Sequence, residues 1–347
     1  MIRIKGAGIL IKGVEIDNKL AKGGGKLFDL PLIKPITLKQ AEAAQRRLSS
    51  NHLMMAEVEL KIRKLASGYK GEKTLHYFLR LLPEKNYHIF HGLRLPARDS
   101  FFQMDAHLLS PKLIILLESK NYSGTLTIEK QQLTQEINNT KVVYDNPISQ
   151  VNRHKILLQY FFLKYQIPPI PIETVVVFTN SSSEIKIANG YHEAEKKICK
   201  ASNLLKKIDE IEKYYSKDKV DQKTIGKIKR LLLSKHTPFR SDFLKTLGID
   251  RTDILPGVRC SDCWFIPMNY KKNKWICPVC QKISKEGSLE AINDYFLLIN
   301  TSITNSELRE FLQLPTRRAS SYQLELLNLP STGTKKGRVY HQPKDFL

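Results

Sequence analysis

Long apolar runs are missing from this sequence. Those at 113–117 and 156–158 fall far short of the ~18 residues that a membrane span needs, so nothing in it reads as crossing a bilayer. The start Met1-Ile-Arg-Ile-Lys5 is basic, but Gly6, Gly8, Lys12 and Glu15 stand where a secretion signal would carry an apolar stretch and a cleavage site. Acidic residues are scarce: 34 Asp and Glu face 56 Lys and Arg, a formal charge of +22. That surplus disfavours an acidic small-molecule enzyme and makes nucleic acid the first partner to consider, because phosphate contacts are dominated by Lys and Arg. Repeats and low-complexity tracts are also lacking, and a hydrophobic content of 41 % disfavours a disordered tail protein. Cysteine is sparse as well. Four of the five form two Cys-x-x-Cys pairs and Cys199 is left over, which points to a reducing cytoplasm and a metal rather than to disulfides.

The 347 residues suffice for two or three domains of roughly 100–200 residues. Residues 1–36, with Gly23-Gly24-Gly25, Pro31 and Pro35, read as a loose or docked arm. From Thr37 to Ala66 neither Gly nor Pro interrupts a helical pattern, which predicts one long helix or a helical hairpin. Gly68 and Gly71 punctuate it before a second helix from Glu72 to Leu82, stopped by Pro83. Short strands follow at Tyr87–Leu95, Phe101–Leu109, Leu113–Glu118 and Thr125–Ile128. Asn146-Pro147 opens a helix to about Tyr165, and Thr174–Thr179 is a buried strand. The order helix, strands, helix, strand makes the fold class α/β with a mixed sheet. Residues 183–255 read as a Lys-rich helical connector, 256–284 as a cysteine module and 285–347 as a last unit, with 1–54 as arm and helix before a core at 55–182.

The most informative local geometry lies in residues 102–120. If Phe102–Leu109 and Leu113–Glu118 turn about Pro111-Lys112, paired positions sum to 223, and Asp105 faces Glu118. Like charges opposed across a sheet repel. A divalent cation reverses that penalty, since hard carboxylate oxygens suit Mg²⁺ (or Mn²⁺) with waters completing its shell. The strand period of two turns the Lys120 ammonium to the face of Glu118. Two carboxylates, a metal and a lysine in one patch are the equipment for phosphodiester hydrolysis. Solvated charges at strand ends are the plainer alternative. His107 and His154 either line the same cleft or pack as ordinary histidines.

Gly71-Glu72, Phe102-Gln-Met-Asp105, Glu118-Ser-Lys120-Asn-Tyr-Ser-Gly124 and Asn146-Pro147-Ile-Ser-Gln150 resemble, in order and spacing, the nuclease-related domain family, NERD. The resemblance spans about residues 55–180 and implies a branch of the PD-(D/E)XK nucleases, with their restriction-endonuclease-like α-β-β-β-α-β core. It further implies Asp105 and Glu118 as metal ligands with the Ser119 carbonyl as a third, Lys120 as catalytic lysine, Glu72 as a supporting acid and Gln150 as a polar contact. Glu72 has a competing explanation, as an acid placed in a first helical turn by the helix dipole. Met104 replaces the proline of the superfamily name.

Cys260-Ser-Asp-Cys263 and Cys277-Pro-Val-Cys280 have the spacing of a four-cysteine zinc site, closed to water and therefore structural. Trp264, Phe265, Trp275 and intervening lysines suggest a zinc ribbon with aromatic and basic faces, or aromatics that merely pack beneath the metal. Beyond it, Ser288–Ile299 is amphipathic. Thr304-Asn-Ser-Glu307 is a capping box for a short helix, and Thr316 caps a third, Arg317–Leu327, before a basic hairpin from Gly333 to Tyr340. This order looks like a winged helix-turn-helix, with Arg317, Arg318, Ser320, Ser321 and Gln323 facing a major groove and Lys335, Lys336 and Arg338 on wing phosphates. A helical cap or protein-contact domain is the alternative. The sequence thus predicts a cytoplasmic, Mg²⁺-dependent nuclease acting on nucleic acid, DNA ahead of RNA, with one structural Zn²⁺. A homodimer would ease double-strand cutting. The rival is a non-catalytic DNA-binding protein built on a nuclease-derived core.

Overall fold

In the computed structural model, residues 27–84 and 86–343 are described, apart from the Lys336 side chain. Most of the predicted amino-terminal arm, residues 1–26, lies outside them. The arm's end is not loose: β1 (Phe28–Leu30) pairs in parallel with a strand near residues 88–97. Helix α1 (Ile36–Arg47) and helix α2 (Met55–Leu79) replace the single helix or hairpin over 37–66 and the separate helix from Glu72. Gly68 and Gly71 do not break α2. At Gly71 the missing side chain is the point, because a Cβ there would meet Thr179 Oγ1 at 2.9 Å and Asn121 Cβ at 3.0 Å. Glu72 is consequently a mid-helix residue, and a first-turn dipole does not explain it.

The meander follows as β2 (His88–Ala97), β3 (Ser100–Leu109) and β4 (Ile114–Lys120). After β5 (Thr125–Ile128) come β6 (Gln132–Ile137) and β7 (Thr140–Asp145), both missed by the sequence reading because polar residues crowd their pattern. Helix α3 (Pro147–Lys164) starts as its residues dictate: Asn146 accepts the Ile148 amide and Pro147 occupies the first turn. Then come β8 (Ile172–Phe178), β9 (Glu184–Ile187), α4 (His192–Lys197), β10 (Ile198–Lys200), α5 (Leu204–Tyr214) and α6 (Gln222–Lys235). Six strands form one mixed sheet in the order β1-β2-β3-β4-β8-β10, and four form a second, β7-β6-β5-β9.

The six-stranded sheet is covered on both faces. Leu75 and Leu79 of α2, with Leu204 and Ile208 of α5, pack on Ala106, Leu108, Ile115, Leu117, Val175 and Val177. Leu158, Phe161 and Phe162 of α3, with Ile225, Ile228 and Leu232 of α6, cover Leu93, Met104, Ile114 and Leu116. The Lys-rich helices α5 and α6 therefore bury apolar stripes on this sheet. Cys199 is a buried thiol on β10, not in a helix, and burial pushes it up to about 12.

The remaining elements are α7 (Phe243–Thr246), β11 (Asn269–Lys271), β12 (Lys274–Ile276), β13 (Ile283–Ser284), α8 (Ser288–Leu298), β14 (Ser302–Thr304), α9 (Asn305–Phe311), α10 (Arg317–Leu327), β15 (Ser331–Thr332) and β16 (Val339–His341). Thr304 and Glu307 form the predicted capping box, and Thr316 accepts the Ala319 amide. Strands β14, β16 and β15 make a small antiparallel sheet with β16 in the middle.

The described chain divides into two compact units, Ala66–Phe239 with residues 27–33, and Lys34–Leu65 with residues 240–343. In the second, the helices at 36–65, the cysteine module and the helices beyond 288 share one core, which includes Ala44, Val58, Trp275, Ile292, Leu308 and Leu324. No helix among the described residues is long and apolar enough to cross a membrane.

The two glycines of α2 give a paired test. Nothing lies within 4 Å of a Cβ at exposed Gly68, so Gly68→Ala should raise stability by ~0.5–1 kcal/mol. Gly71→Ala should instead lower it by ~1–3 kcal/mol, through overpacking against Thr179 and Asn121. Thermal melts of the two variants that moved in the same direction would contradict the packing.

Candidate active site and metal centre

The β3–β4 ladder pairs Ala106 with Leu117, His107 with Leu116 and Leu108 with Ile115. The register is the expected one, and Asp105 and Glu118 stand one step beyond its last pair. On the other side of β3 the ladder skips Asp105 and Gly92, whose φ is 57°. Side-chain alternation slips there: Phe90 and Leu93, three residues apart, join the same core, as do Met104 and Leu109, five apart. A left-handed glycine in mid-strand thus releases Asp105 from regular pleating at the end of the carboxylate pair.

Asp105 Oδ2 accepts both the Ser119 amide and the Ser119 hydroxyl at 2.8 Å. Glu118 is 5 % exposed. Its Oε1 accepts from Lys120 Nζ at 2.7 Å and from Gln150 Nε2 at 2.8 Å, while Gln150 Oε1 accepts from the same ammonium at 2.9 Å. Lys120 and Gln150 are therefore fixed against Glu118 from β4 and α3. Ser119 was predicted for its carbonyl, but its amide and hydroxyl are what hold Asp105.

Burial and the neighbouring Asp105 push Glu118 up to about 7, against the opposing pull of Lys120 and Gln150. Half-buried Glu72 is driven up to about 8 by burial and by the charges of Asp105 and Glu118. The Lys120 ammonium is held above its ordinary value: burial opposes this, and Glu118 outweighs it. Among the described residues, Asp105 Oδ1 and Glu118 Oε2 receive no hydrogen bond, leaving one hard oxygen on each carboxylate for a cation. Glu72 lies close enough to the pair for the charges of both Asp105 and Glu118 to act on its carboxyl.

His107 does not line this site. It is fully buried against Phe90, ring centroids 5.4 Å apart, and both ring nitrogens lack partners. His154 is also buried, beside Phe102, and burial holds it near 4. His107 is thus a neutral packing residue, while His154, neutral as well, is near enough to the site for the Lys120 charge to act on it.

Residues 67–179 match the nuclease-related domain, NERD. No curated protein and no solved structure matches the chain. The NERD segment runs from mid-α2 through β8 and contains all six residues from Glu72 to Gln150 that the sequence singled out. Its order α2, β2, β3, β4, α3, β8 is that of a restriction-endonuclease-like core, with β5–β7 inserted.

Outside the NERD segment, Cys260, Cys263, Cys277 and Cys280 bring their sulfurs within 4.8 Å of one another. The nearest pairs are 3.4 and 3.5 Å apart, close to the ~3.8 Å edge of a tetrahedron with Zn–S bonds of about 2.3 Å. The tetrad is positioned to bind a metal ion, consistent with structural zinc. Trp275 packs in the core, while Trp264 and Phe265 are exposed.

The carboxyl-terminal residues divide differently from expectation. Ser320 and Gln323 do not face outward: Ser320 donates to the Asn305 carbonyl, and Gln323 is held by Ser288 and Tyr270. Arg317, Ser321, Lys335 and Arg338 line a cleft of about 640 Å³ together with Thr304, Asn305, Ser306, Arg309 and Tyr340. Arg318 is exposed outside that lining, and Lys336 sits in the turn Lys335–Gly337. The sequence reading missed Arg309, although its place four residues after Asn305 puts both on one helical face.

Two measurements check these centres. Replacing any one of the four cysteines by Ser should cost the chain its zinc and render residues 256–284 protease-sensitive, by elemental analysis and limited digestion. A zinc-replete single variant would refute the tetrad. For Glu72, a folded value above the ordinary 4.5 means that the native state keeps its proton longer than the unfolded chain. Stability is then lost as pH rises from about 5 through 8. Without divalent cations, Glu72→Gln should raise the melting temperature at pH 8 and leave it nearly unchanged at pH 5.

Proposed function

We propose that this protein is a metal-dependent nuclease, hydrolysing phosphodiester bonds of nucleic acid, DNA ahead of RNA. The observation that carries the reading is the convergence of Asp105, Glu118, Lys120 and Gln150 at one end of the β3–β4 ladder inside the NERD segment. Asp105 and Glu118, with the Ser119 carbonyl, would hold Mg²⁺ or Mn²⁺. When bound, such an ion lowers the pKa of a coordinated water and clamps phosphate oxygens. The chain's own contribution is positioning and charge. Ser119 fixes one oxygen of Asp105, and Gln150 holds Lys120 so that its ammonium meets negative charge developing on phosphate. In the metal-free site Glu72, driven up to about 8, keeps its proton at pH 7 and so adds no charge to the repulsion between Asp105 and Glu118.

A second reading, a non-catalytic DNA-binding protein, is favoured by the basic cleft. Three helices, a strand between the first two and a terminal hairpin have the order of a winged helix, and the cleft lining holds four cations and no acid. In that reading Arg309, Arg317, Lys335 and Arg338 contact phosphates.

One assay on the full-length protein separates the two. With Mg²⁺ or Mn²⁺, Asp105→Asn and Glu118→Gln should each reduce cleavage of single-stranded, duplex or branched DNA by at least ~10²-fold while leaving affinity intact. Arg317→Ala with Arg338→Ala should weaken binding and lower its salt slope by about one to two phosphates, leaving the cleavage rate at saturation unchanged. Binding without metal-dependent cleavage in the wild type would select the second reading.

A further inference from the structure

The chain has only two tryptophans, and the cysteine module treats them oppositely. Trp275 on β12 is fully buried against Tyr270, with ring centroids 4.7 Å apart. Trp264 is 70 % exposed, and Phe265, Val279 and Ile283 are exposed with it. Cys263 and Cys280 are the outward members of the tetrad. The exposed apolar residues flank them in sequence; the Phe265 carbonyl accepts the Cys260 amide, and the Lys282 carbonyl, next to Ile283, accepts the Cys277 amide.

The backbone shows that Trp264 is not there to fold the module. After each Cys-x-x-Cys pair the chain turns left-handed, with φ of 63° at Trp264 and 61° at Gln281. Each of these amides donates to the carbonyl of the pair's first cysteine at 3.1 Å. That conformation suits glycine and strains a bulky side chain. Trp264 accepts the strain and still leaves its ring in water, while Trp275 supplies the buried aromatic.

The surrounding charge has one sign. Residues 256–284 hold Arg259, Lys271, Lys272, Lys274 and Lys282 against Asp262 alone. Arg259 is engaged by Glu290, and Lys282 by Asp262. Lys271, Lys272 and Lys274, at the tip of the β11–β12 hairpin, are exposed and pair with no acid among the described residues. Two exposed aromatic side chains and three exposed lysines on one module of 29 residues offer what bases and phosphates take respectively.

We propose that Trp264 and Phe265, with these lysines, form a stacking platform for the unpaired bases of a single nucleic-acid strand. Base faces inside a duplex are covered by their neighbours, whereas an unpaired base can lie on an exposed ring whatever its identity. The proposal rests on nucleic acid being the partner, and it adds that single-stranded segments are held at a site other than the carboxylate cluster.

The test uses the full-length, zinc-replete protein without added Mg²⁺ or Mn²⁺. Wild-type tryptophan emission, and for every variant the anisotropy of an end-labelled strand, are followed while an oligodeoxythymidylate of about 15 nucleotides, or a duplex of equal length, is titrated against the protein. The oligonucleotide should quench emission. Trp264→Leu and Phe265→Ala should each weaken its binding about tenfold, with Trp264→Tyr near wild type and duplex affinity little changed. Trp264→Gly should bind as weakly as Trp264→Leu. Unchanged oligonucleotide affinity in zinc-replete Trp264→Leu, or equal losses on duplex, would overturn the proposal. So would wild-type self-association abolished by Trp264→Leu, which would make the patch a protein contact. Quenching that persists in a protein with no metal-dependent cleavage would sink the hydrolase reading and leave this one standing.

Discussion

Two carboxylates at the end of the β3–β4 ladder share Lys120 while a third, Glu72 of α2, feels their charge without it, and that imbalance governs the site. Glu72, Asp105 and Glu118 cannot all carry charge cheaply in a partly buried patch where Lys120 is the cation within reach. The metal-free protein answers by keeping protons: Glu72 and Glu118 both sit well above the ordinary carboxylate range. A divalent cation is the other answer, and it would displace those protons. The surrounding packing keeps the conflict in place, since Gly71 lets α2 approach β4, and Gln150 reaches across from α3.

Much of this was legible before any coordinates. The hairpin register followed from counting residues about Pro111-Lys112, because a period of two leaves little freedom once hydrophobic faces must be buried. Asn146-Pro147, Thr304–Glu307 and Thr316 announced their helices through local capping chemistry. What failed were inferences from glycine and from polarity. Gly71 looked like a break because its role is tertiary contact with Thr179 and Asn121, which sequence does not display. Strands β6 and β7 were hidden by their exposed polar residues. Ser320 and Gln323 looked like groove-facing residues, but each satisfies a buried polar partner. Gly92, in mid-strand and opposite Asp105, was the one available signal of irregular backbone at the site.

The second unit depends on a different device. Arg47 is fully buried, donates to Asp294 at 2.8 Å and to the Gly257 carbonyl at 2.6 Å, and lies over the Phe311 ring. Arg46 engages the same carboxylate. Removing Asp294 would strand a buried guanidinium, so this pair fixes which segments assemble even though its net stabilisation is small. It ties α1 to α8, Gly257 and α9 at once.

That ion pair also sets an order of events during synthesis. Arg47 and Asp294 are separated by 247 residues, and nearly all of the NERD-containing unit lies between them. At about 5–20 residues per second, α1 leaves the ribosome roughly 10–50 s before its carboxylate partner is made. The intervening unit can complete its own sheet in that time. Helix α1 meanwhile waits with an unpaired arginine and an uncovered apolar stripe, a client for any chaperone that recognises such surfaces, until the last third of the chain arrives to close the core.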